Sequence, residues 1–120
     1  MIFSSLQLAF LGDAVFELFI REYLLKNKLS KIKELKEDSL NFVTATKQAY
    51  FAHELINNNY LNENEKIIFK NGRNTKIHSK AKSCDIVTYK NATGFECLIG
   101  YLYLNDKDRL EEILNIIVNM

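Results

Sequence analysis

Three carboxylates in apolar segments are the residues of this chain best placed to do chemistry. Asp13 and Glu17 lie in QLAFLGDAVFE, and Glu96 lies in ATGFECLIGYLYL. Residues four apart share one face of a helix, so Asp13 and Glu17 face the same way. An ionised carboxylate that is buried without a partner costs several kcal/mol. Each of these acids therefore needs a cation, hydrogen bonds or access to water.

The two acids of the first segment differ in what lies near them in the sequence. Arg21 follows Glu17 by four residues, so a helical ion pair is the ordinary explanation for Glu17. Asp13 has no basic residue three or four positions away on either side. We therefore expect Glu17 to pair locally, and Asp13 to be neutralised by something from elsewhere in the fold.

Glycines accompany the acids in both segments. Gly12 precedes Asp13, and Gly94 and Gly100 flank Glu96. A glycine inside a helix costs about 1 kcal/mol relative to alanine, and close approach of another backbone is the usual compensation. We expect the two helices to cross at these glycines and to bring the acids together. Adjacent carboxylates raise each other's pKa, and Mg²⁺, which favours oxygen ligands, removes that repulsion. Helix caps and salt bridges remain alternative roles.

A basic segment lies between residues 66 and 84, which contain no acidic residue. A solvated surface loop is one interpretation, and a surface that binds the phosphate backbone of a nucleic acid is the other. No base-reading motif is present, so recognition by shape, as for double-stranded RNA, is the expected mode. The candidate RNA-binding residues are Lys70, Arg73, Asn74, Lys76, His78, Lys80 and Lys82. His53 is expected to be a helix residue without an acid–base role.

Composition predicts an all-α domain. The 120 residues are 48% hydrophobic and include no proline and only four glycines. Because proline and glycine form the turns that end strands and close hairpins, their scarcity favours helices. The formal net charge of +1 predicts no partner. No apolar run reaches the length of a membrane span, and the first residues lack the basic start of a signal peptide. We expect a soluble cytoplasmic protein without membrane association.

Hydrophobic periodicity and capping residues predict about six helices. The first begins at Ser4 or Ser5, ends near Lys26 and is apolar nearly all round, which is typical of a buried central helix. The others are predicted at 30–36, at 38–57, after an Asn62 cap with Glu65 in the capping-box position, at 92–104, and after Asn105 or Asp106. Residues 73–84 are expected to be an exposed loop.

Four segments of the chain carry a resemblance to a known family. LAFLGDAVFE, residues 8–17, resembles the signature of the ribonuclease III catalytic domain, and ATGFECLIGYLYL, residues 92–104, resembles its second conserved helix. FVTATKQAYFAHEL, residues 42–55, and FKNGRNTK, residues 69–76, resemble the Mini-III branch, whose members consist of the catalytic domain alone. The match extends from about residue 6 to about residue 110.

The resemblance implies a fold, an activity and partners. It implies an all-helical ribonuclease III catalytic-domain bundle with two buried central helices, and a homodimer whose cleft holds double-stranded RNA. It implies hydrolysis with Mg²⁺ and water, here in trimming the ends of the large-subunit (23S) ribosomal RNA precursor, with possible help from a large-subunit ribosomal protein. Residues 1–120 would form one catalytic domain, and we expect no double-stranded-RNA-binding domain because the chain ends at Met120.

By the same resemblance, Asp13 and Glu96 match catalytic metal ligands of the family. Ala9 and Thr93 stand where longer ribonuclease III enzymes have a glutamate and an aspartate, and such replacements occur in the Mini-III branch. The sequence therefore offers fewer obvious metal ligands than those longer enzymes do.

Asp85, at the end of the basic segment, is a further candidate ligand. Glu17, which the branch retains, is another, beside its pairing with Arg21.

Two other functions remain open from the sequence. A non-catalytic double-stranded-RNA-binding scaffold, associated with the ribosome, is compatible with Ala9 and Thr93. The presence of Asp13 and Glu96 argues against it, because a scaffold has no need of acids that face phosphates. A helical protein–protein adaptor is compatible with the near-neutral net charge, and it predicts neither RNA affinity nor Mg²⁺ dependence.

Overall fold

The computed structural model describes residues 2–28, 30–76 and 84–120, and six α-helices account for most of them. These are α1 (Ser5–Asn27), α2 (Ile32–Val43), α3 (Ala45–Asn57), α4 (Glu63–Arg73), α5 (Ile86–Asn105) and α6 (Lys107–Val118). The described residues contain no strand. The all-α prediction is therefore confirmed. None of these helices combines the length and hydropathy that a membrane span requires.

Two helix starts follow the predicted capping chemistry. The Ser4 hydroxyl accepts from the Gln7 backbone N–H, and the Gln7 side chain accepts from the Ser4 backbone N–H. Asn62 and Glu65 form the same reciprocal pair at the start of α4. Each box satisfies backbone donors that the helix itself leaves without partners.

Three predicted boundaries are wrong. The helix predicted at 30–36 continues to Val43, so α2 runs through the predicted break after residue 36. The predicted helix 38–57 is divided at Thr44, whose hydroxyl accepts from the Lys47 backbone N–H and starts α3. Helix α5 begins at Ile86 rather than near 92, because Asp85 caps it by accepting from the Thr88 backbone N–H at 2.8 Å. Both starts use a short polar side chain as an N-cap, a signal that a periodicity count does not register.

Helix α5 forms the centre of the bundle and packs against α1, α3 and α4. The rings of Phe16 and Phe95 meet edge to face with centroids 5.0 Å apart, and Phe51 lies 6.3 Å from both. Helix α1 buries only one of its faces in this core. Its other face exposes four large apolar side chains, at Leu6, Phe10, Leu18 and Leu25.

The crossing of α1 and α5 depends on two glycines. A Cβ on Gly12 would overlap the Glu96 carbonyl oxygen and stand 2.9 Å from the Gly100 nitrogen. A Cβ on Gly100 would overlap the Leu8 carbonyl oxygen and stand 3.1 Å from the Gly12 nitrogen. The predicted crossing is confirmed for this pair. Gly94 differs from the prediction, because it lies against Phe69 of α4 instead of α1.

Candidate active site

The α1–α5 crossing brings Asp13 and Glu96 together. Gly12 lets the α1 backbone touch the Glu96 carbonyl, and Asp13 is the next residue of α1. The two side chains are within hydrogen-bonding reach of each other. Asp13 is exposed and Glu96 is partly buried, so the pair lies at the edge of the core and is open to solvent.

The environment of Glu96 disfavours its ionised form. Burial, the hydrogen bond with Asp13 and the charge of Asp13 raise the pKa of Glu96 to about 8, with a smaller contribution from the charge of Glu17. The Gln48 side chain acts in the opposite direction. At neutral pH the Glu96 carboxyl is therefore mainly protonated.

Glu17 pairs with Arg21, as its spacing predicts. Arg21 Nη2 lies 3.8 Å from Glu17 Oε2, and both side chains are well exposed, at 72% and 42%. A solvated pair of this kind adds little stability. Its carboxylate nevertheless contributes to the field at Glu96. The structure thus places Glu17 beside the acid pair and gives it a partner of its own.

Gln48 is a site residue that the sequence analysis missed. It is 2% exposed, and its side-chain amide faces the Glu96 carboxyl. It shares the inner face of α3 with Phe51, Ala52 and Leu55, which follow it at i+3, i+4 and i+7. A polar residue in the first place of a core-facing stripe is the signal that could have identified it.

Asp85 is not brought to the acid pair. Its carboxylate accepts from the Thr88 backbone N–H, and this interaction lowers the pKa of the exposed Asp85 side chain. Glu96 follows eleven residues later in the same helix, which places it about 16 Å away along the axis. Within one chain Asp85 therefore lies away from Glu96 and serves as the N-cap of α5, and its role as a metal ligand stays a prediction.

Ala9 and Thr93 supply no carboxylate to the site. Ala9 is buried at 6% exposure, and Thr93 at 7%. The Thr93 hydroxyl donates to the Tyr89 carbonyl at 3.0 Å, one turn back in α5. The oxygen ligands that this chain itself offers therefore come mainly from Asp13 and Glu96.

Two facing carboxylates fit a hard divalent cation. Asp13 and Glu96 would hold such a cation through their oxygens, in place of the proton that Glu96 otherwise holds. Within residues 2–28, 30–76 and 84–120, no group of three or more His, Cys, Asp or Glu side chains is arranged to enclose a metal ion. The described residues thus offer an open site with two carboxylates, Asp13 and Glu96.

The basic residues of the described chain lie at the end of α4. Lys70, Asn74 and Lys76 are exposed, and Arg73 is partly buried with its guanidinium 5.9 Å from the centroid of the Phe69 ring. The other three candidate RNA-binding residues, His78, Lys80 and Lys82, lie outside the described residues.

Comparison with known proteins agrees with this geometry. A model of the Ribonuclease III domain family matches residues 6–107. The Mini-ribonuclease 3 of Clostridium tetani is 49% identical over 119 residues, which are 98% of this chain and 78% of that protein. The Mini-ribonuclease 3 of Enterococcus faecalis is 42% identical over 113 residues, covering 93% of this chain and 86% of that protein.

A solved structure gives the same result at the level of the fold. The crystal structure of a Fusobacterium nucleatum protein is similar with a TM-score of 0.84 and 36% identity, covering 98% of this chain and 93% of that one. The family acts on double-stranded RNA and generally depends on a divalent metal. From its matched domain and its relatives, this chain belongs to the ribonuclease III family and, within it, to the Mini-III branch.

Proposed function

We propose that this protein is a Mg²⁺-dependent endoribonuclease that hydrolyses double-stranded RNA. The observation that carries the proposal is the meeting of Asp13 and Glu96 at the α1–α5 crossing, in a chain of the ribonuclease III family. Asp13 and Glu96 would hold the cation. When bound there, Mg²⁺ supplies an activated water and neutralises charge on the leaving oxygen of the phosphodiester.

The residues around the pair prepare it for that task. To hold the cation together with Asp13, Glu96 would have to lose the proton that its raised pKa otherwise retains. The Gln48 amide faces the Glu96 carboxyl and orients it from the buried side. Glu17 is held by Arg21, so we assign it a contribution to the local negative field rather than direct ligation.

Double-stranded RNA would be held through its phosphates. The exposed side chains of Lys70, Asn74 and Lys76 present donors at the end of α4, and Arg73 adds a guanidinium beside them. His78, Lys80 and Lys82 follow in the sequence and are included in this proposal. Binding through phosphates weakens steeply as salt concentration rises.

A homodimer would cover the exposed apolar face of α1. Phe10 is 84% exposed and Leu18 67%, whereas Phe16 is fully buried in the core. Exposed apolar stripes of this kind mark protein interfaces. We expect Phe10→Glu to convert a dimer into a monomer in analytical ultracentrifugation, and a wild type that sediments as a monomer would contradict the assignment.

The substrate we propose is the large-subunit (23S) ribosomal RNA precursor in the cytoplasm, whose ends the protein would trim with assistance from a large-subunit ribosomal protein. A non-catalytic scaffold is the alternative, and the uncharged residues Ala9 and Thr93 are the observation in its favour. Accurate trimming of precursor transcripts by the purified protein, alone and with ribosomal proteins added, tests the substrate. Absence of cutting at the mature ends under both conditions would exclude it.

The activity itself is tested with a labelled long RNA duplex and a matched single strand, in Mg²⁺ and in excess chelator. We expect Mg²⁺-dependent cutting of the duplex alone, reduced about 100- to 1000-fold in Asp13→Asn and Glu96→Gln. Lys33→Met, which changes an exposed residue of α2, serves as the control and cuts at the wild-type rate. Binding without cutting by the wild type would support the scaffold instead.

A further inference from the structure

A cavity of about 210 Å³ lies between α3, α4 and α5, apart from the acid pair. Its walls include an apolar floor formed by Ala49, Ala52 and Phe69. A polar rim is formed by His53, Arg73 and Asn91. None of its lining residues is acidic. His53 follows Gln48 by five residues, so it lies about 7.5 Å further along α3 than the residue that faces Glu96.

Arg73 gives this cavity a positive charge. Its guanidinium lies 5.9 Å from the centroid of the Phe69 ring, and its Nε donates to Asn74 Oδ1 at 3.4 Å. In the part of the chain that the structure describes, Arg73 forms no ion pair with a carboxylate. A cation–π contact of this kind leaves the charge of the guanidinium unneutralised, which suits recognition of an anion.

The other two polar residues of the rim present donors as well. The Nε2 atom of His53 lies 2.7 Å from the Asn57 side-chain nitrogen. Because an amide nitrogen is a donor, Nε2 accepts this hydrogen bond and the neutral ring carries its proton on Nδ1. Asn91 adds an amide that also donates. An arginine, a histidine N–H and an amide without an acidic neighbour are a donor set for a phosphate oxygen.

We propose that this cavity binds one backbone phosphate of the RNA, with the attached ribose on the apolar floor. The inference rests on the proposed function, and it assigns to His53 and Asn91 a role that their sequence positions do not suggest. The volume exceeds that of a phosphate alone, and the floor of alanines and Phe69 offers an apolar surface for a sugar. Lys70 and Lys76, exposed near the same end of α4, extend the positive surface to neighbouring phosphates.

The test asks whether neutralising one RNA phosphate weakens binding only when the cavity side chains are intact. A set of RNA duplexes, each with one neutral methylphosphonate, is titrated by fluorescence anisotropy against wild type, Arg73→Met and His53→Ala in excess chelator, where no cutting occurs. We expect at least one position where the methylphosphonate weakens wild-type binding about 10-fold and has no further effect on Arg73→Met or His53→Ala. Arg73→Met should also lower the slope of log affinity against log salt by about 1.

Lys33→Met is the matched control, because it removes one positive charge from an exposed residue of α2 away from the cavity. It should keep the full methylphosphonate effect at every position. If the methylphosphonate weakens binding by Arg73→Met and by His53→Ala as much as it weakens wild-type binding at every position, the subsite is overturned. The nuclease proposal would then remain intact. A wild type that binds no duplex would overturn both. Thermal unfolding of each variant confirms that it is folded, and His53→Ala, a change at an exposed residue, keeps the test valid if Arg73→Met is unstable.

Discussion

Glu65 and Glu96 both lie within the helix packing of this protein, yet their carboxyl groups have opposite surroundings. Glu65 is 2% exposed and accepts two hydrogen bonds from Arg109, at 2.8 and 3.0 Å, and one from the Asn62 backbone N–H. Burial raises the pKa of Glu65, but the hydrogen bonds and the Arg109 charge outweigh it, so the pKa is lowered. At Glu96 burial acts in the same direction, and the neighbouring acid Asp13 reinforces it.

The difference separates a structural acid from a functional one. The bidentate pairing of Glu65 with Arg109 connects α4 to α6 and leaves no charge without a partner. Among the residues that the structure describes, Glu96 forms no ion pair, and the charges that affect its pKa, on Asp13 and Glu17, have the same sign as its own carboxylate. A site of this kind costs stability in the folded protein and is typical of groups that act on a ligand. The ionised state of Glu96 becomes favourable only when a cation is shared with Asp13.

The largest expected effect on stability is at the structural acid. Arg109→Met leaves the Glu65 carboxylate buried without its partner, and we expect the free energy of unfolding at pH 7 to fall by about 3 to 5 kcal/mol. Lys26→Met is the control, because its ion pair with Glu22 is solvated, and it should cost less than about 1 kcal/mol. Urea denaturation measures both, and equal losses would remove the distinction between the two environments.

Replacing the functional acid, Glu96, should raise the free energy of unfolding instead of lowering it. The pKa of Glu96 is about 8 in the folded protein and has an ordinary value of 4.5, which stands for the unfolded chain. The unfolded chain therefore ionises more readily, and the protein without metal loses stability as pH rises from about 4.5 to about 8. Glu96→Gln removes this loss, and we expect it to be more stable than wild type by about 3 kcal/mol at pH 8.

Glu65→Gln is the matched comparison for that pH series. Its carboxylate has a lowered pKa, so its contribution is present above pH 4.5 and is lost as pH falls through the folded value. We expect this variant to be less stable than wild type at pH 7, with the difference shrinking in acid. Denaturation curves for both variants between pH 4 and 8, with chelator present, test the signs. A Glu96→Gln variant that is destabilised at pH 8 would contradict the account.

A smaller effect is expected at Gln48, which connects the core to the functional acid. Gln48→Leu removes the amide that faces Glu96 and keeps an apolar side chain in the buried position. We expect the Mg²⁺ concentration for half-maximal duplex cleavage to rise about 10-fold, with a smaller change in the rate at saturating Mg²⁺. Asn41→Leu, an exposed change on α2, serves as the control. An unchanged Mg²⁺ requirement would assign Gln48 a packing role only.

Much of the fold could be predicted because its signals are local. The capping boxes at Ser4 and Asn62 are read from residues three apart, and Gly12 with Gly100 indicated the crossing that brings the acids together. The break at Thr44 and the early start of α5 were missed because periodicity continues across them. Each of those helix starts depends on a single hydrogen bond that a short polar side chain accepts from a backbone N–H.

The features that escaped prediction depend on contacts between distant parts of the chain. Arg109 and Glu65 are 44 positions apart, and nothing in either neighbourhood indicates the pair. Gln48 and Glu96 meet because α3 and α5 pack together, and Gly94 turned out to serve the α4 contact. The exposed face of α1 was equally hidden, since its apolar composition also fits a helix buried on all sides.

The most direct test of the central claim is the number of protons released when Mg²⁺ binds at pH 7, measured by isothermal titration calorimetry in buffers of different ionisation enthalpy. Because the pKa of Glu96 is about 8, its carboxyl holds a proton at pH 7 and must lose it to become a ligand. We predict release of about one proton per Mg²⁺ bound by the wild type, with binding greatly weakened in Asp13→Asn and Glu96→Gln. Tight Mg²⁺ binding without proton release, or binding unchanged in both variants, would contradict the claim that Asp13 and Glu96 hold the metal.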